Sequence, residues 1–244
     1  MKQRPNNVLV TRPAHQAGTL IKKLKEKGFQ AIKCPTIVIK PATDSQPALK
    51  KLLKVANYNL VIFTSANAVH HANSLLNGQW PQTKAQIFAI GPKTQQALIE
   101  VGIHNSECAT PPFNSERLLD QITNIGESKS CLIIKGLGGR KYLAESLQDI
   151  GFHVENADVY QRCLPRQSSQ ALPLELPYIT ITSRLALDNL FLLYPELSSS
   201  FKKNSLFITL SERIAKHATA IGCEKVSFAK QATDDGLVSA LLSL

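Results

Sequence analysis

Residues 6–40, NNVLVTRPAHQAGTLIKKLKEKGFQAIKCPTIVIK, carry the pattern from which the fold is predicted. It opens with a short apolar run typical of a strand, and Pro13 favours the first turn of a helix directly after it. The next apolar residues recur at the spacing of one helix face: Ala17, Leu20, Ile21 and Leu24. Gly28 predicts the helix end, and an extended segment follows it.

The same order returns in residues 129–162, KSCLIIKGLGGRKYLAESLQDIGFHVENADVYQR. Here Leu143, Leu147 and Ile150 are predicted to share a helix face, and Gly151 to end the helix. Three more pairs of segments match in the same order: 58–72 with 177–191, 87–103 with 206–223, and 111–122 with 230–242. The offset of roughly 120 residues is too long for a solenoid unit and suits a duplicated domain.

Strands that alternate with helices predict an α/β fold with parallel sheets. Two copies of the pattern predict two similar domains, and the extended segments after Gly28 and Gly151 are candidate connectors between them. A chain of 244 residues, 43% of them hydrophobic, is long enough to bury both cores.

Composition excludes several classes of protein. The apolar runs are far shorter than the ~20 residues that span a bilayer, so we expect no membrane association and a cytoplasmic location. The five cysteines are scattered without a C-x-x-C, which favours reduced thiols over a disulfide framework or a metal site. The net charge of +10 attracts anions, but the chain has no basic tail and no arginine–aromatic cluster typical of a nucleic-acid binder.

Ligands of open α/β sheets bind beyond the carboxyl ends of the strands. Hydroxyl residues stand there repeatedly, where helices are predicted to begin, and a helix N-terminus with free N–H groups attracts negative charge. The candidates are Arg12, Thr64, Ser65, Gly91, Thr182, Ser183, Arg184, Ser211 and Thr233. An ordinary helix cap is the alternative for each single hydroxyl, and an exposed surface charge is the alternative for Arg12 and Arg184, so only the set indicates a polyanion site.

A glycine-rich turn, residues 135–140, follows another predicted strand. It lacks the third glycine of a dinucleotide fingerprint and the G-K-[ST] of a P-loop. Lys135 and Arg140 bring fixed positive charge beside Gly138 and Gly139, and an arginine fork suits carboxylate as well as phosphate. We therefore interpret the turn as an oxyanion binder without specificity for a nucleotide.

At this point the chain resembles the uroporphyrinogen-III synthase family. The motifs are VLVTRP, IFTSANAV, FAIGPKT, IKGLGGR, DVYQR, TITS, LSERIAKHA and ATDDGLVSAL, and they run from Val8 to the C-terminus. Ser211-Glu212 departs from the Gly-x-x-Thr pattern that Gly91–Thr94 keeps, which leaves open which late hydroxyl contacts the ligand.

The resemblance implies a cofactor-free enzyme of tetrapyrrole, porphyrin and heme biosynthesis. Its substrate would be hydroxymethylbilane, a linear tetrapyrrole with eight carboxylates, closed to uroporphyrinogen III with loss of water and inversion of ring D. The reaction would begin with departure of the hydroxyl group and pass through a spiro intermediate. It also implies a monomer, with transient contact to hydroxymethylbilane synthase.

The family fold implies two α/β domains joined by a two-stranded β connector, with the active site in the cleft between them. By that likeness the first domain would comprise residues 1–35 and 165–244, and the second residues 36–164. The glycine turn would hold acetate or propionate groups. Tyr160 matches the family tyrosine proposed as a proton donor, with a packing role as the alternative. Because a phenol is a weak acid at neutral pH, we expect Tyr160→Phe to keep measurable activity.

Two other functions stay open on the residues alone. A two-domain α/β binding protein for phosphorylated or nucleotide ligands would bind such ligands without cyclising a bilane. A nucleic-acid binder would show strongly salt-dependent affinity for DNA.

Overall fold

The computed structural model of the protein describes residues 6–122, 130–139, 141–166, 172–173 and 175–243. In chain order the strands are β1 Asn7–Val10, β2 Gln30–Lys33, β3 Val38–Pro41, β4 Leu60–Phe63, β5 Gln86–Ala89, β6 Ser106–Cys108, β7 Ser130–Gly136, β8 His153–Cys163, β9 Tyr178–Ile181, β10 Leu206–Thr209 and β11 Lys225–Phe228. The helices are α1 Gly18–Glu26, α2 Gln46–Leu53, α3 Ala66–Leu75, α4 Pro92–Glu100, α5 Ser115–Ile122, α6 Tyr142–Asp149, α7 Arg184–Leu193, α8 Ser198–Asn204, α9 Glu212–Ala220 and α10 Asp234–Leu242. Three short 3-10 turns complete these elements, at Ala14–Gln16, Val55–Asn57 and Pro195–Leu197.

The chain divides into two compact units, one formed by Met1–Val38 with Cys163–Leu244 and the other by Ile39–Arg162. Unit 1 has a sheet with the strand order β11-β10-β9-β1-β2, and unit 2 has the order β3-β8-β7-β4-β5-β6. Apart from β3, the two orders match strand for strand when β1 is aligned with β7 and β9 with β4. The internal repeat read from the sequence is therefore a repeat of sheet topology.

Both sheets are buried on two faces, which explains the short, continuous apolar strands. In unit 2, Val61 and Phe63 of β4 belong to one core cluster, whereas Leu60 and Ile62 belong to the cluster on the other face. Unit 1 repeats this division, with Leu9 of β1 on one face and its neighbours in the sequence on the other. Neighbouring strands in each sheet run parallel wherever a register is defined, as the alternating pattern predicts.

The predicted glycine stops are confirmed, because Gly28 and Gly151 adopt φ values of 81° and 90° just after α1 and α6. Only glycine adopts this left-handed conformation without steric cost. Gly102 and Gly222 do the same at the matching positions of the repeat, with φ values of 86° and 94°.

Two local predictions are wrong. The helix after Pro13 begins with a 3-10 turn, and α1 starts only at Gly18, because Pro13 itself is extended with ψ near 140°. Ile150 does not share the buried face of Leu143 and Leu147. It follows the last residue of α6 and is 39% exposed, since Gly151 turns the chain away one residue later.

Within the residues described, no helix combines the length and apolar character needed to cross a bilayer. The chain enters unit 2 through β3 and leaves it through β8, and these two strands are neighbours in the sheet.

Candidate active site

Unit 2 has a cavity of about 260 Å³ beside the carboxyl ends of β4 and β7. Its lining combines the glycine turn with hydroxyl, amide, phenol and cationic side chains. The polar and glycine residues are Thr64, Ser115, Lys135, Gly136, Gly138, Gly139, Lys141, Asn156, Tyr160 and Arg162. The cavity therefore joins Thr64 with the turn after β7, and Ser65 lies behind it in contact with the Tyr160 phenol.

Lys135 holds the glycine turn in place through two contacts of its ammonium group. Its Nζ donates to the carbonyl oxygen of Gly138 at 2.8 Å and lies 3.3 Å from Oδ1 of Asp158. Gly138 and Gly139 have φ values of 72° and 87°, so the turn needs glycine at both positions. The carboxylate of Asp158 thus offsets part of the positive charge of Lys135. Arg140, predicted as its cationic partner, lies outside the described residues.

Tyr160 is placed by a β-bulge. Lys135 of β7 pairs with Asp158, but the next residue, Gly136, pairs with Tyr160, so β8 carries one extra residue there. A bulge redirects the side chain that follows it. The Tyr160 ring lies where a side chain on Gly136 would be, since a Cβ built on Gly136 would approach the ring carbons to 2.5 Å.

The Tyr160 phenol is only 1% exposed as a residue, yet its edge reaches the cavity. Its oxygen lies 3.2 Å from Oγ of Ser65 and accepts a hydrogen bond from Nη2 of Arg162 at 2.8 Å. The ring also stacks on His71, with centroids 5.6 Å apart. A group held this firmly suits a positioning role at least as well as the predicted role of proton donor.

Thr64 and Ser65 follow β4 and lead into α3. Ser65 caps the helix, because its Oγ accepts from the backbone N–H of Ala68 at 3.2 Å. The Thr64 hydroxyl donates to the carbonyl of Ile134 at 3.3 Å. Gly91 starts α4 after the adjacent strand β5, but it is not part of the cavity lining.

Unit 1 gathers the remaining candidates at the carboxyl edge of its own sheet. Ser183 caps α7 and Thr233 caps α10 through side-chain oxygens that accept backbone N–H groups at 3.1 and 3.0 Å. Ser211 occupies the cap position of α9 without such a bond, so its hydroxyl is not committed to the helix. Thr182 is half-buried and Arg184 is exposed at the start of α7.

Arg12 makes an ion pair with Asp234, the first residue of α10. The side chains are 12% and 11% exposed, so the pair is largely shielded from water. The sequence predicted a ligand-binding cation at Arg12. In the structure its guanidinium pairs with the carboxylate of Asp234.

Four polar side chains of the cavity were not predicted from the sequence: Ser115, Lys141, Asn156 and Arg162. Arg162 follows Tyr160 by two residues in an extended segment, and this period places both side chains on one side of the strand. Ser115 stands at the first residue of α5, and Lys141 next to the predicted Arg140. The positions of these residues next to predicted elements were visible in the sequence. Their meeting in one cavity follows from the register of the strands, which the sequence does not show.

Each edge, taken by itself, presents hydroxyls, helix N-termini and cations, and these groups suit carboxylates. The fold and the site therefore define a doubly wound α/β protein of two compact units, with candidate oxyanion-binding groups at the carboxyl ends of the strands of each sheet.

Comparison with known proteins specifies the family. The family model described as HEM4, uroporphyrinogen-III synthase HemD, matches residues 18–239. The chain is 29% identical to the uroporphyrinogen-III synthase of Escherichia coli strain K12, over 96% of this chain and 99% of that protein. It is 30% identical to the enzyme of Proteus mirabilis, over 64% of this chain and 80% of that one. The chain belongs to the uroporphyrinogen-III synthase family.

Solved structures agree on the fold. A mutant uroporphyrinogen III synthase of Thermus thermophilus superposes with a TM-score of 0.64 at 14% identity, and the match covers 98% of this chain and 99% of that one. The enzyme of Helicobacter pylori 26695 gives a TM-score of 0.62 at 18% identity with the same coverage.

Proposed function

We infer that this chain catalyses the reaction of its family, the cyclisation of hydroxymethylbilane to uroporphyrinogen III with loss of water and inversion of ring D. Full-length similarity to a named bacterial synthase supports the inference. The structural observation that carries it is the repetition of hydroxyl-bearing helix starts at the carboxyl edges of both sheets. A ligand with eight carboxylates can use several separate anion sites, whereas a nucleotide needs fewer.

The protein's contribution to this chemistry is mainly conformational. Since the bilane closes without inversion in the absence of enzyme, the site has to favour the folded form that leads to the spiro intermediate. Ser65, Ser183 and Thr233 bind carboxylates together with the backbone N–H groups of their helices. Tyr160 orders the cavity and assists departure of the hydroxyl group.

Further carboxylate contacts belong to the same proposal. The residues are Arg12, Thr64, Gly91, Lys135, Gly138, Gly139, Arg140, Thr182, Arg184 and Ser211. Backbone donors survive truncation of a hydroxyl side chain, so single alanine changes at the hydroxyl positions raise KM modestly and leave kcat nearly intact. These positions are Thr64, Ser65, Thr182, Ser183, Ser211 and Thr233.

The deciding experiment supplies freshly made hydroxymethylbilane to the purified protein and separates the isomers of the oxidised product. Isomer III is expected with enzyme and isomer I in its absence. Formation of isomer I alone would refute the function. Binding of a nucleotide or sugar phosphate without cyclisation would instead support the alternative α/β binding protein.

We also propose a cytoplasmic monomer with domains 1–35 plus 165–244 and 36–164, acting in transient contact with hydroxymethylbilane synthase. The division of internal contacts after residues 38 and 162 supports the domain proposal, and five free thiols are compatible with a reducing compartment.

A further inference from the structure

We propose that Arg162 is a positioning residue that fixes the hydrogen-bond direction of Tyr160 and thereby makes the Ser65 hydroxyl a donor to a substrate carboxylate. The proposal rests on the proposed function and adds to it a residue and an order of hydrogen bonds. Arg162 lines the cavity beside the buried phenol of Tyr160, and Gly136 of the glycine turn packs against the Tyr160 ring.

The geometry couples the guanidinium to the phenol in two ways. Nη2 of Arg162 lies 2.8 Å from the Tyr160 oxygen, and the guanidinium carbon lies 5.1 Å from the ring centroid. Both contacts follow from their spacing of two residues on β8. A flat guanidinium can stack on a ring and donate at the same time, whereas a lysine ammonium is a point charge without this shape.

The chemistry of the two groups sets the direction of the bond. A guanidinium has donors and no acceptor, so the Tyr160 oxygen must accept from Arg162. Accepting from a cation makes the phenol a stronger donor through its own O–H. The neighbouring oxygen at 3.2 Å is Oγ of Ser65, and in the proposed order of hydrogen bonds the phenol donates its hydrogen to this oxygen.

Ser65 then has both acceptor positions in use. Its Oγ accepts from Tyr160 and from the backbone N–H of Ala68, and a hydroxyl oxygen has two lone pairs. The Ser65 hydrogen remains to be donated. It lies at the N-terminus of α3, a helix of ten residues whose dipole attracts an anion to the same place. A substrate carboxylate is the acceptor that fits this position.

A different role for Arg162 is direct contact with the substrate, because its side chain is exposed. A double-mutant cycle separates the two roles. Arg162→Met is expected to raise KM for hydroxymethylbilane about tenfold, the effect of one charge-assisted hydrogen bond, with kcat nearly unchanged. In a Tyr160→Phe or Ser65→Ala background the same change should raise KM less than about twofold, since the relay is already broken.

Two further variants complete the test. Arg162→Lys keeps the charge and a donor, and should recover part of the loss. Arg117→Met makes the same chemical change on α5, where Arg117 pairs with Asp120, and should leave both constants unchanged. Equal effects of Arg162→Met in the wild-type and Tyr160→Phe backgrounds would overturn the relay and indicate direct contact. Failure of the wild-type protein to form isomer III would refute the proposed function and not the relay.

Discussion

Replacing Gly136 by alanine tests the packing on which the unit 2 cavity depends. The new Cβ would lie 2.5, 2.6 and 2.9 Å from three ring carbons of Tyr160. Carbon atoms pack at about 3.5–4.0 Å, so the ring must retreat by about 1 Å. The ring is part of a rigid side chain that is 1% exposed and packs in the core of unit 2, with its edge at the cavity.

The expected cost follows from these contacts. Overpacking a core typically costs about 1–3 kcal/mol. A ring shift of this size also lengthens the bonds of the phenol to Ser65 and Arg162, and an ordinary hydrogen bond contributes about 1 kcal/mol. Because alanine restricts the unfolded chain, about 0.4–1 kcal/mol is regained. We expect a net loss of about 2–3 kcal/mol in the free energy of unfolding of unit 2.

The single tryptophan makes the measurement specific to this unit. Trp80 packs edge-on against Phe63 with centroids 5.8 Å apart, so its fluorescence in a urea titration reports unit 2. Gly91→Ala is the matched control in the same unit, since a Cβ there meets only the Cβ of Phe113 at 3.7 Å, an ordinary van der Waals contact. Gly136→Ala should lose most of its cost when Tyr160 is replaced by leucine. A Gly136→Ala protein as stable as the wild type would refute the reasoning.

Three other predictions concern ionisable groups. Arg12→Met leaves the shielded carboxylate of Asp234 without its partner, so we expect the free energy of unfolding to fall by about 3 kcal/mol. Hydrogen exchange in α10 should become faster, and unchanged exchange would contradict this prediction. Burial, followed by the hydrogen bond to Glu155, raises the pKa of Tyr58 from 10.0 to about 12. The folded state holds this proton more tightly, so stability should fall as pH rises from 10 to 12, and fall less in Tyr58→Phe, as followed by tryptophan fluorescence. Burial also raises the pKa of the Cys131 thiol to about 12, so mass spectrometry should find it alkylated at pH 8 only after unfolding; rapid labelling of the native protein would disprove this.

The helices, the strands and their duplication were predictable from the order of the amino acids. Strand and helix periods, glycine stops such as Gly28, and hydroxyls at helix starts are local features, because each depends on residues within one or two turns of the chain. The repeat of these features predicted two parallel sheets, and the strand orders agree with that prediction. The positions of Ser65, Ser183 and Thr233 at helix caps were readable for the same reason.

The contacts between polar groups, in contrast, depend on how distant segments of the chain pack together. Arg12 and Asp234 are 222 residues apart in sequence, and no local pattern relates them. The bulge that turns Tyr160 under the glycine turn depends on the register between β7 and β8, so a buried phenol and an exposed one look alike in the sequence. Periodicity encodes which face of an element is buried, whereas the partners of a charge or hydroxyl are set by how separate elements are packed together.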